Sequence, residues 1–70
     1  MTPTALQVLA ARASARAILF VHHYEYESID EAVKPLWRYA SSVGLVRRFG
    51  EKAIREIIER PFIDESQKTG

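Results

Sequence analysis

Seventy residues with ten Lys and Arg, nine Asp and Glu, a formal net charge of +1 and no cysteine exclude two domains, a disulfide framework and a thiolate zinc site. A hydrophobic fraction of 47% beside 27% charged residues is that of a globular protein and excludes a disordered tail or a membrane span. So short a chain buries only about 60% of the surface its unfolded form exposes, so its core must come from packing, within one copy or shared with a second chain.

The first twenty-four residues contain Arg12 and Arg16 and no acidic residue, whereas from Glu25 onward eight basic residues stand against nine acidic ones. An acid-free start rich in Ala and Arg has the pattern of a mitochondrial transit peptide. It is also the pattern of an alanine-rich bacterial or phage helix, the reading favoured here, so a cytoplasmic location is expected, with a mitochondrial one as the alternative. No secretory signal is expected, because no charged segment precedes the Ala-rich stretch and the apolar run 17–21 is too short for a signal core or a span.

At about 100° per residue, Leu6, Leu9, Ala10, Ala13, Ala17, Phe20, Val21 and Tyr24 share one sector, predicting an amphipathic helix over about 4–27. Thr2-Pro3-Thr4 supplies its start, with a capping hydroxyl and a proline suited to a first turn. The β-favouring residues Ile18, Phe20, Val21, Tyr24 and Tyr26 offer the alternative of an α+β fold with a strand at about 17–27. The unbroken stripe, and the lack of a second strand with a turn beside it, favour the helix.

Ser28-Ile29-Asp30-Glu31 has the form of a capping box and opens a second helix over about 29–43. Ile29, Ala32, Val33, Leu36, Ala40 and Val43 line one face, Trp37 and Tyr39 flank it, Pro35 should kink it, and Gly44 suits its end. A single turn at 45–49 then leads through Gly50 to a third helix over about 51–60, which Pro61 is expected to stop. Ala53, Ile54, Ile57 and Ile58 form its apolar face. The expected architecture is an all-α, three-helix domain over 1–63 with a flexible polar tail at 64–70.

A first helix over 4–27 would be about 36 Å long against about 22 Å for the second, in a domain whose radius of gyration should be near 11 Å. It would overhang, exposing Leu6, Leu9 and Ala10 unless a homodimer or a partner protein covered them. Leu6, Leu9, Ala13, Phe20, Tyr24 and Trp37 are therefore the candidate interface residues.

His22, His23, Glu25 and Glu27 form the one cluster with ligand chemistry. His23 and Glu27 at i,i+4 on a helix would be the pair best placed on a metal, against the simpler reading of exposed histidines beside carboxylates; with no third ligand, no metal or other cofactor is expected. Arg47, Arg48, Lys52 and Arg55 are candidate nucleic-acid contacts, opposed by Glu51, Glu56 and Glu59 on the same helix and by the small net charge. Trp37 and Tyr39, with Arg38 between them, either anchor an interface, or Trp37 caps the core. Catalysis is not expected, since there is no Cys nucleophile, nucleophile elbow or phosphate-cradling loop, and both histidines lie in one segment.

Trp37-Arg38-Tyr39-Ala40, Ile54-Arg55 and Pro61-Phe62 resemble the small epsilon subunit of mitochondrial F1 ATP synthases, which opens with Trp-Arg-x-Ala and later carries a Val/Ile-Arg pair and a Pro-aromatic. The likeness covers about a third of the chain. Ser41 stands where that family has glycine, one residue is missing between the motifs, and thirty-six residues precede the tryptophan. The resemblance implies a non-catalytic accessory subunit packed against partner chains.

The expected function is thus a non-catalytic helical module that binds another protein or a second copy of itself, as a regulator or accessory subunit. A compact DNA-binding regulator is the alternative.

Overall fold

The structure is a computed structural model and describes residues 2–68. Among these the chain forms four helices and no strand: α1 (Ala5–His23), α2 (Ile29–Ser42), α3 (Leu45–Phe49) and α4 (Glu51–Lys68). The all-α expectation holds, and the strand alternative at 17–27 does not.

Thr4 caps α1 with a reciprocal pair of bonds. Its hydroxyl accepts from the Gln7 amide at 3.2 Å and its own amide donates to the Gln7 side chain at 2.9 Å. Pro3 lies outside the helix rather than in its first turn. At the other end α1 stops at His23, four residues before the expected limit, because Tyr24 turns left-handed (φ 54°) and the amides of Tyr24 and Glu25 both fold back onto the Leu19 carbonyl.

Ser28 caps α2, its hydroxyl accepting from the Glu31 amide at 3.2 Å. The Glu31 carboxylate does not complete the box on Ser28; it accepts from the Glu27 amide at 3.3 Å and so steadies the approach to the helix. Pro35 is carried inside α2. Gly44 and Gly50, at φ 80° and 90°, bracket the short α3; a Cβ at either would meet no atom within 4 Å, so the backbone angle, and not crowding, calls for glycine there.

The largest departure is at Pro61. α4 does not stop there but runs on to Lys68, so residues 64–68 of the expected tail are helical, while Thr69 and Gly70 lie outside the described residues. An interior proline costs about 3 kcal/mol relative to alanine. Against this, Phe62 is buried at 2% exposure and meets Phe20 edge-on at 5.9 Å, contributions of about 1.5–3 and about 0.5–1.5 kcal/mol respectively. Tertiary packing is therefore of the size needed to offset the local breaker.

These two corrections remove the overhang. At about 1.5 Å per residue, α1 and α4 are matched near 28 Å, and α1 packs chiefly along α4 and secondarily on α2. The core comprises Leu9, Ala13, Ala17, Ala32, Val33, Leu36, Ala40, Leu45, Ile54, Ile58 and Phe62. The four alanines of α1 and α2 at 0% exposure, Ala13, Ala17, Ala32 and Ala40, let the helices approach closely. The radius of gyration is 12.0 Å and the extents are 35 × 27 × 18 Å. Among the described residues no helix is long and apolar enough to cross a membrane.

Candidate functional site

The interface residues expected on α1 belong mostly to the chain's own core. Leu9 and Ala13 are fully buried, and Leu6 and Phe20 pack half-buried against the core, because the extended α4 covers the face that the shorter helix would have left open. Ala10 is exposed, and Tyr24 is 84% exposed at the helix stop. Trp37 is half-buried on the flank of α2, as Leu6 and Phe20 are on α1.

Arg12 and Arg16 also turn inward to the fold. Arg12 lies 4.5 Å from the centre of the Tyr39 ring and Arg16 4.7 Å from that of Tyr26, while Arg16 Nε donates to the Ala32 carbonyl. Arg12 by its stack on Tyr39 and Arg16 by its bond to Ala32 thus link α1 to α2, while the Arg16 stack on Tyr26 holds the connection between them.

The metal reading fails at its spacing. His23 is the last residue of α1 and Glu27 lies beyond the left-handed Tyr24, so the two no longer sit one helical turn apart. His22 instead reaches α4, its Nε2 3.0 Å from Glu65 Oε1; an ionised carboxylate only accepts, so the imidazole donates. Lys68 Nζ bonds the other oxygen of Glu65 at 2.9 Å. The Lys68 ammonium first, and the His22 hydrogen bond second, hold the Glu65 carboxyl below its usual range, and Glu65 in turn raises Lys68. Among the described residues no group of three or more His, Cys, Asp or Glu is placed to hold a metal ion.

The four basic candidates are divided. Arg47 and Arg48 are exposed on α3, with Arg48 5.4 Å from the centre of the Phe49 ring, and Lys52 is exposed on α4. Arg55 is engaged twice, bonded to Glu51 at 2.6 Å and 5.9 Å from the centre of the Trp37 ring. No single helix presents all four as a recognition surface, since α3 and α4 share them and Gly50 separates the two.

What the structure does assemble is a surface around Trp37. Lys34, Arg38, Ser41 and Ser42 surround it in a shallow depression on α2, and Arg55 of α4 approaches the ring. No carboxylate lines that depression. Arg38 was singled out beside Trp37, whereas Lys34, Ser41 and Ser42 were not, yet a signal was present: residues 32–50 contain Lys34, Arg38, Arg47 and Arg48 and no acidic residue at all. Comparison with protein-family models, with curated proteins and with solved structures finds no match to this chain. The likeness to the ATP synthase epsilon subunit rests on its few short motifs alone, now placed within α2 and within an unbroken α4.

Proposed function

We propose that this chain is a non-catalytic helical interaction module, a regulator or accessory subunit that binds an acidic surface of another protein through the α2 face centred on Trp37. The observation that carries the reading is the composition of that face: one half-buried tryptophan, the cations Lys34 and Arg38, two serine hydroxyls, and no carboxylate among its lining residues. Aromatic and arginine side chains dominate binding energies at protein interfaces, and a one-signed rim selects partners of the opposite sign. The open shape of the depression favours a protein surface over a small substrate, which needs an enclosing cleft.

A photo-crosslinking residue at Ser41 in the native cell tests the proposal. The expected result is a protein crosslink that is lost on Arg38→Glu while the fold, followed by circular dichroism, is unchanged. A crosslink that survives Arg38→Glu, or none from Ser41, overturns it.

The acid-free stretch 32–50 is the observation that favours a second reading, contact with nucleic acid through Arg47, Arg48 and Lys52. Its signature is binding to duplex DNA that weakens steeply with salt; crosslinks from Ser41 to nucleic acid and not to protein would select it.

A further inference from the structure

We infer that a second copy of this chain docks on the outer face of α4, antiparallel and about a twofold axis at the level of Ile58. The surface adjoins the Trp37 face at Arg55 but is centred on another helix, and the inference does not depend on the function proposed for that face. On α4 the side opposite the core carries Ala53, Glu56, Arg60 and Ile63, spaced alternately three and four residues apart, so that they form one continuous stripe. All four are exposed, Ile63 at 52%. They line a broad groove together with Lys52, Arg55, Ile57 and Glu59.

The order of residues in the stripe is its own complement. Glu56 and Arg60 lie two residues on either side of Ile58, and Ala53 and Ile63 five on either side. When the helix is reversed about Ile58, Glu56 faces Arg60 of the second copy, Arg60 faces Glu56, and each Ile63 lies over the small side chain of Ala53. Two ion pairs then sit at the centre and a large residue meets a small one at each end. On one flank Ile57 meets Ile57 of the second copy, and on the other Glu59 meets Glu59, each one turn from Arg55 of its own helix. A parallel arrangement would instead set Glu56 on Glu56 and Arg60 on Arg60, so the charges specify the antiparallel one.

Arg60 is free to make the exchange. Its present partner is Asp64 on the same helix at 3.4 Å, with side-chain exposures of 76% and 49%, a surface pair of the kind worth little. The association is isologous and closed, so it ends at the dimer.

Sedimentation equilibrium on the full chain up to about 1 mM, combined with charge exchange at two exposed positions, decides the matter. Wild type is expected to dimerise, with a dissociation constant below 1 mM. Glu56→Arg alone gives four positive charges at the centre and Arg60→Glu alone four negative ones, so each single variant is expected to remain monomeric with an unchanged circular dichroism spectrum. An equimolar mixture of the two is expected to form a heterodimer, and the double variant Glu56→Arg with Arg60→Glu to recover the homodimer. A monomeric wild type at the highest concentration overturns the inference, as do single variants that still dimerise or a mixture that does not.

Discussion

His22 Nε2 and Glu65 Oε1 meet at 3.0 Å across forty-three residues of sequence, joining the last turn of α1 to the last turns of α4. Lys68 holds the other carboxylate oxygen, so Glu65 is gripped from both sides where the two helices end together.

Removing that carboxylate should have a pH signature. Glu65 is more acidic in the folded chain than in the unfolded one, so its contribution is complete above the ordinary carboxylate pKa of about 4.3 and is lost as pH falls through the lower folded value. Lys68 is displaced upward, so its share is complete below about 10.4 and is lost as pH rises through the raised folded value. We expect Glu65→Gln to lower the melting temperature at neutral pH, with the difference from wild type closing below about pH 4. Coincident melting curves at pH 7 would show that the grip contributes nothing.

Leu9 separates two pictures of α1. On the surface of an overhanging helix its truncation would weaken only association; in the core, Leu9→Ala should destabilise the fold by about 2–5 kcal/mol, independently of protein concentration. Urea unfolding at two concentrations a hundredfold apart measures which applies.

Pro61 is a site where the chain carries a local penalty. Pro61→Ala restores an amide that can donate to the Ile57 carbonyl, and should stabilise the protein by about 1–3 kcal/mol. Denaturant unfolding gives the magnitude, and slow hydrogen exchange at the new amide would locate the gain within α4.

Tyr24 is the non-glycine residue with positive φ, and its ring is almost wholly in solvent. Tyr24→Gly should therefore stabilise by about 0.5–1 kcal/mol, while Tyr24→Val, branched at Cβ, should destabilise by about 1–2 kcal/mol. Two variants moving in the same direction would contradict the backbone explanation.

The features legible in the sequence were the local ones. Ser28 and Thr4 announce helix starts because a capping hydroxyl acts within three residues, and the middle apolar positions of α2, Ala32, Val33, Leu36 and Ala40, reappear as core, while Ile29 and Val43 at its ends are exposed. The ends of α1 and α4 were not legible, because each is settled by remote contact. Pro61 reads as a stop until Phe62 is seen against Phe20, and His22 reads as a candidate metal ligand until Glu65 is brought beside it. Those two errors reinforced one another: one helix taken as too long and another as too short together produced an overhang, and the overhang drew the interface onto Leu9 and Ala13. The Trp37 face was half legible. Trp37 and Arg38 stood out and the lack of carboxylates across 32–50 was there to be read, but that Lys34, Ser41 and Ser42 close around the ring emerges only from the fold.

That lack has a counterpart on the other side of Ser28. Glu25, Glu27, Asp30 and Glu31 fall together within 25–31 with no basic residue among them, at the N-terminal end of α2, and four cations follow over 32–50. A chain of net charge +1 therefore carries its charges in blocks, with acids before and in the first turn of α2 and cations from Lys34 through α3. Beyond about 8 Å in physiological salt exposed charges are largely screened, so a partner responds chiefly to the block it meets. The direction of approach, rather than the sum of the charges, then governs whether an encounter is attractive.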